Sequence, residues 1–233
     1  MIWKRAGQWL ARFRLGHTPR EQQTVVTLIL AGLGNPGPKY EKNRHNVGFL
    51  AMDAIARRYG TAPWRARFQG LACEGSVDTP VGPVKILMLK PQTFYNETGR
   101  AVGEAVRFFK LKPTDVIVFH DEIDLAPGRF RMKAGGGAAG NNGIRSISAQ
   151  VGADVRRARI GVGHPGDKDA VMHYVLGDLH KAEKVWLDPM LDAIADALPF
   201  AAAGDDERYQ AEVMRLAPAP KADPRKQARD GQP

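Results

Sequence analysis

The feature that most restricts this chain is a recurring pattern: short apolar runs that stop at glycine or a polar loop, with helical spacing in the residues that follow. The first run, Thr24 to Leu30, ends at Gly32 and Gly34, as a buried strand feeding a loop would. From Asn43 to Tyr59, Val47, Leu50, Ala54 and Ile55 then recur at helical intervals. The same reading expects strands at Leu71–Val77, Val84–Leu89, Val116–His120, Phe130–Lys133 and Arg157–Val162. It expects helices around Gly99–Phe109, Asn141–Val151, Ala170–Val175 and Lys181–Ala202. Such alternation implies an α/β fold: a single-domain, three-layer sandwich with a twisted, mixed and largely parallel sheet flanked by helices. With 233 residues, 43% of them hydrophobic, the chain is long enough to bury one such core.

Charge divides the chain further. The net charge is +9, yet residues 1–24 hold five basic and one acidic side chain and residues 218–233 four and two, so much of the basicity sits in the tails. Between them, residues 125–168 carry eight Lys or Arg against two acids, whereas residues 178–212 carry three against nine. That asymmetry points to a localised anion-binding face. Residues 1–24 are expected to be a basic extension, with an Arg-rich mitochondrial presequence as the alternative reading, residues 25–216 the folded domain, and residues 217–233 a disordered basic tail. No run of about 20 apolar residues is present, so no membrane span is expected. The single cysteine, Cys73, excludes an internal disulfide and a Cys-only metal site, and a cytoplasmic setting is expected.

Chemistry-bearing residues gather at the expected strand ends. The segment GLGNPG, residues 32–37, has the spacing of a dinucleotide loop, and Asp53 lies where a ribose-binding acid would. Pro36 and Pro38 interrupt the helix start that such a loop needs, so cofactor binding is not expected there. The loop still brings Asn35, Tyr40, His45 and Asn46 close together. A catalytic His45 needs a carboxylate, and Asp121, directly after the run VIVFH, is best placed; spacing does not exclude Glu122 or Asp124. KPQTFYNETG brings Asn96 to another strand-to-helix junction, and Asn141 and Asn142 open a helix after a glycine run. Helix amino-termini present unpaired N–H groups to an oxyanion. No metal-ligand spacing links the histidines.

These stretches in order, GLGNPGPKYEKNRHNVGF, KPQTFYNETGRAV, HDEIDLAPGRFRMKAGGG, NGIRSI and RARIGVGHPGDK, closely resemble the bacterial-type peptidyl-tRNA hydrolase family from about Leu28 to Leu216. The resemblance implies a monomeric α/β hydrolase, without metal or cofactor, that cleaves the ester between a peptide and the terminal ribose of tRNA. It makes His45 the base, Asp121 its carboxylate partner and Asn35 a residue that positions substrate or water. Tyr40, Tyr95, Asn96, Asn141 and Asn142 become substrate-site residues, and Lys133 and Arg159 the pair that holds a tRNA phosphate. Three positions depart from the family pattern: Asn141 and Ala138 stand where histidines are common, and Tyr95 where a methionine is usual. These departures keep a non-catalytic tRNA- or RNA-binding paralogue as the second reading.

Overall fold

In a computed structural model of the protein, the described residues are 27–221. The N-terminal extension and residues 222–233 of the tail lie outside them. The chain forms seven strands: β1 (Leu28–Gly32), β2 (Arg65–Arg67), β3 (Gly70–Thr79), β4 (Gly82–Pro91), β5 (Val116–Glu122), β6 (Phe130–Ala134) and β7 (Arg156–Gly161). They make one sheet in the order β2-β3-β4-β1-β5-β7-β6. The four inner strands β4, β1, β5 and β7 are parallel, while β3 joins β4, β2 joins β3 and β6 joins β7 in antiparallel pairs.

The apolar runs were legible because the central strands are covered on both faces. In β1, Leu28 and Leu30 enter one core and Ile29 and Ala31 the other; in β5, Ile117 and Phe119 separate in the same way from Val116 and Val118. The first core packs under α1 (Val47–Tyr59), α5 (Lys184–Asp196), α6 (Leu198–Ala202) and α7 (Asp206–Leu216). The second packs under α2 (Thr98–Phe109) and α3 (Asn142–Gln150). A short helix, α4 (Val171–Val175), follows β7. At about 25 cal/mol per Å² of apolar surface, burying one Leu or Ile on these faces contributes roughly 1.5–3 kcal/mol.

Three elements differ from the sequence reading. The helix expected over Lys181–Ala202 is divided into α5 and α6, with Pro199 in the first turn of α6, where its missing N–H costs no helical bond. Helix α7 was not expected, because it is highly charged and buries few side chains, among them Tyr209 and Val213. Asp205 caps it by accepting from Arg208 N, and the Tyr209 hydroxyl donates to Ile194 O, tying α7 to α5. Strand β2 is exposed and charged, so it lacks the apolar alternation that marks the others. At the opposite sheet edge, the outward N–H groups of Phe130 and Met132 in β6 are taken by α7, through Met214 Sδ at 3.2 Å and Gln210 Oε1 at 2.9 Å.

One close approach positions the site. Gly48, in the first turn of α1, lies against the backbone of β1 and β5: a Cβ there would sit 2.3 Å from Phe119 O and 2.5 Å from Leu33 N. Gly32 faces it, and a Cβ there would sit 2.3 Å from Gly48 O. Any side chain at either position pushes α1 off the sheet. Gly48→Ala is expected to lower the unfolding free energy by more than about 3 kcal/mol, above the usual overpacking cost because the obstacle is backbone. Urea denaturation measures this, and a loss below about 1 kcal/mol would show that the helix yields freely.

Candidate active site

The parallel strands β1, β4, β5 and β7 end on one side of the sheet, and the candidate residues gather on the loops there. Between β1 and α1 the chain runs through a loop and a 3-10 turn, Arg44–Asn46. Helix α1 starts at Val47, ten residues past Gly37, and Asp53 pairs with Lys90 Nζ at 2.6 Å; the glycine loop is therefore not a dinucleotide turn. Asn46 braces it: its Oδ1 accepts from Asn35 N at 2.8 Å and its Nδ2 donates to Asn35 O at 2.9 Å. Arg44, buried, anchors the turn from below. It donates to both carboxylate oxygens of Glu183, at 3.0 and 2.6 Å, and to Tyr174 O, and it stacks on the Tyr174 ring. No pattern around residue 44 signals this anchor, since Glu183 lies 139 residues away.

That scaffold holds His45 beside Asp121, the sixth residue of β5. His45 Nδ1 lies 2.9 Å from Asp121 Oδ2. An Nδ1–H donated to the carboxylate leaves the Nε2 lone pair as the basic nitrogen. The other oxygen, Asp121 Oδ1, accepts from the Tyr95 hydroxyl at 2.9 Å. Tyr95 precedes α2 in a 3-10 turn, Tyr95–Glu97, and its ring stacks on the His45 imidazole, centroids 3.5 Å apart and planes 13° from parallel. Asn141 Nδ2 donates to the Tyr95 hydroxyl at 3.0 Å, while Asn141 Oδ1 caps α3 by accepting from Ile144 N.

Burial alone pushes the Asp121 carboxyl up, but His45, His120 and the Tyr95 hydroxyl outweigh it and hold the group below the ordinary carboxylate range. Burial, followed by the Asp121 charge, pushes the Tyr95 phenol far up, so it stays a hydrogen-bond donor. Behind the pair, buried His120 donates through Nδ1 to Asp121 O at 2.7 Å, and its Nε2 has no hydrogen-bond partner among the described residues. Burial pulls its pKa down, against the pull of Asp121 and Glu122.

The asparagines fall into two groups. Asn35, nearly buried, accepts from Tyr95 N through Oδ1 at 2.9 Å, and no described residue takes its Nδ2. Asn96 and Asn142 are exposed; Asn142 accepts from Arg145, leaving its amide donor free among the described residues. Tyr40 is half-buried at the start of the same loop, and Phe94 stands exposed next to Tyr95. Tyr95 itself is buried behind His45, its hydroxyl fully engaged, so it meets the imidazole and not open space. Asn141, too, spends both ends of its amide inside the protein.

The cationic face adjoins this centre. In the β6–β7 ladder, Arg131 lies opposite Arg159 and Lys133 opposite Arg157, and cross-strand neighbours share a face. Four like charges so placed repel one another unless each is directed elsewhere. Arg157 turns inward and donates to the carbonyls of Gly136 and Gly137. Arg159 donates its Nε to Glu122 Oε2 at 2.7 Å, which leaves its two terminal nitrogens without partners among the described residues. Lys133 is exposed, its Nζ lying close over Gly136.

The chain matches the family model described as peptidyl-tRNA hydrolase over residues 29–221. The chain belongs to the peptidyl-tRNA hydrolase family. It is 83% identical over 203 residues to the peptidyl-tRNA hydrolase of Caulobacter vibrioides, covering 87% of this chain and 99% of that one. It is 69% identical over 201 residues to that of Phenylobacterium zucineum, covering 86% and 96%. Among solved structures, the peptidyl-tRNA hydrolase of Acinetobacter baumannii superposes with a TM-score of 0.76 at 31% identity, over 83% of this chain and 98% of that one. A peptidyl-tRNA hydrolase complex with N-propanol gives 0.76 at 32% identity, over 82% and 96%. The non-catalytic paralogue is thereby disfavoured. Two departures from the hydrolase pattern, Tyr95 and Asn141, prove to be neighbours in one hydrogen-bonded string, which spacing in the sequence did not reveal.

His120 makes the stability of this hydrolase pH-dependent. Its unfolded value is near 6.5 and its folded value lies lower, so between the two the unfolded chain binds more protons. The stabilisation is full above pH 6.5 and is lost as pH falls toward the folded value. His120→Asn, which keeps a donor for Asp121 O, is expected to flatten the rise of unfolding free energy with pH across that window. Urea denaturation at a series of pH values checks it; an unchanged slope would remove His120 from the account.

Proposed function

We propose that His45, oriented by Asp121, is the general base with which this chain carries out the family's reaction, hydrolysis of the ester between a peptide and the 3′-terminal ribose of tRNA. The observation that carries the reading is the 2.9 Å contact between His45 Nδ1 and a buried carboxylate at a strand end, with asparagine amides on the surrounding loops whose donors meet no partner among the described residues. Neutral His45 takes a proton at Nε2 from water as the water oxygen bonds to the ester carbonyl carbon. Asp121 stabilises the imidazolium that results. The carbonyl oxygen gains negative charge, and Asn35, Asn96 or Asn142 supplies an amide N–H to it. When the bond from the carbonyl carbon to the ribose oxygen breaks, the imidazolium returns its proton to that oxygen, freeing the peptide acid and tRNA. The leaving group of this ester is an alcohol, the ribose hydroxyl, so a base and donors suffice without a covalent intermediate.

Lys133 and Arg159 provide the anion site in this reading. The Glu122 contact fixes Arg159 by one nitrogen and leaves the two terminal ones for a phosphate, which the fork geometry of a guanidinium suits. Phosphate contacts set the register of tRNA without reading its sequence. The reading takes one chain as the working unit, because His45, Asp121 and the three asparagines all come from it. It places the enzyme in the cytoplasm, where translation produces the substrate.

Incubation of the purified protein with N-acetyl-aminoacyl-tRNA should release free tRNA, and His45→Ala should lower kcat by roughly 10²–10⁴-fold, the usual worth of general-base help. Undiminished turnover by that variant would refute the assignment. Lys133→Ala and Arg159→Ala are expected to raise KM with little change in kcat, since a phosphate bound away from the ester contributes to ground and transition state alike. Their effect should shrink as salt rises. A KM unaffected by both variants at low salt would move the phosphate site elsewhere.

A further inference from the structure

The Asp121 carboxylate serves two donors, and the second is unexplained by base catalysis alone. Oδ2 meets His45, while Oδ1 accepts from the Tyr95 hydroxyl. Tyr95 also lies flat against the imidazole at 3.5 Å and gives its backbone N–H to Asn35 Oδ1. One residue thus touches three members of the site while its own side chain stays buried. Its hydroxyl is aimed by Asn141, which the cap on Ile144 holds at the start of α3.

We propose that Tyr95 is a positioning residue for the His45–Asp121 pair, with Asn141 fixing the direction of its hydroxyl. Two physical effects follow. The stacked ring restricts rotation of the imidazole about its Cβ–Cγ bond, so Nε2 keeps one direction through the cycle. The hydroxyl takes up part of the carboxylate charge, so Asp121 holds the proton on His45 less firmly than an undivided carboxylate does. A base that must release its proton to the ribose oxygen benefits from that weaker hold. The charged and titratable groups facing the pair are His120 and Glu122 on β5, Tyr95 from the turn before α2, and Arg157 of β7, which acts on His120. Among these, Tyr95 donates a hydrogen bond to the Asp121 carboxylate itself, whereas His120 donates to its backbone oxygen.

The experiment is Tyr95→Phe, which keeps the ring and its stack and removes the hydroxyl. Because the kinetic readout rests on the proposed hydrolysis, it is paired with a substrate-free one. With N-acetyl-aminoacyl-tRNA, Y95F is expected to lose about tenfold in kcat, the scale of one hydrogen bond to a charged group, with KM within about twofold. The acid limb of its kcat/KM profile should move to higher pH, since the carboxylate that faces His45 is no longer shared with a second donor. Without substrate, the carboxyl of Asp121, followed by carbon-13 NMR, should titrate at higher pH in Y95F than in the wild type, because a bond that favours its ionised form is gone. Asn141→Ser retains a cap for Ile144 and removes the donor to Tyr95; it should give the same shifts at smaller size, and none further in the Y95F background. Unchanged kcat, acid limb and Asp121 titration in Y95F would overturn the proposal, as would a raised KM at constant kcat, which would make Tyr95 a substrate contact. If the wild type itself released no tRNA, the hydrolytic reading would fail while the Asp121 titration still decided the role of Tyr95.

Discussion

The contact between Gly32 and Gly48 is the constraint on which the site depends. Two glycines without side chains let the first turn of α1 rest directly on the ends of β1 and β5. His45 lies three residues before Gly48 and Asp121 two residues after Phe119, whose carbonyl Gly48 approaches. Closing the helix onto the sheet therefore sets the distance between the His45 imidazole and the Asp121 carboxylate. The asparagine brace at residues 35 and 46 and the Arg44 anchor then prevent the intervening loop from turning away. The geometry of the proposed site is in this sense a by-product of backbone packing: His45 and Asp121 are carried by segments whose separation no rotamer can adjust.

How much of this the sequence made legible follows from where the information resides. β1 and β5 could be read because both faces are buried and their composition says so at every position. Helix α7 could not, because its stabilisation comes from a few contacts, Tyr209 to α5 and Gln210 and Met214 to β6, that only the folded chain brings together. Asn35, His45, Asn96 and Asp121 each stand at a strand end or helix start that pattern alone identifies. The pairing of His45 with Asp121 across 76 residues requires the strand order, in which β1 and β5 are adjacent. Tyr95 and Asn141 looked like separate oddities in the sequence, and a 3.0 Å hydrogen bond makes them one feature. Each satisfies a polar atom of the other, which spares the site an unpaired buried group.

The electrostatic layout follows from strand parity. Along β5, Asp121 and Glu122 point to opposite faces, so adjacent acids serve different neighbours: the first His45, the second Arg159. One strand end therefore supplies the carboxylate that meets the His45 imidazole and the carboxylate that orders a cation beside it. Arg157 has a structural share in this layout, since its grip on the Gly136 and Gly137 carbonyls fixes the loop between Lys133 and Asn141. The cationic face of β6 and the Asn141–Asn142 start of α3 are thus connected by a short, braced segment and not by a free loop.

The capping of β6 by α7 carries a consequence for self-assembly. A sheet that terminates in an exposed strand offers its free N–H groups as a template on which a second molecule can add. Here the outward groups of Phe130 and Met132 are already committed to a thioether and an amide from the same chain. The strand that presents Arg131 and Lys133 to solvent is therefore closed to strand addition along those two positions, and its cations face outward from an edge that resists fibre-like growth. A cationic face and a protected edge share the five residues of β6, and α7 makes the two compatible.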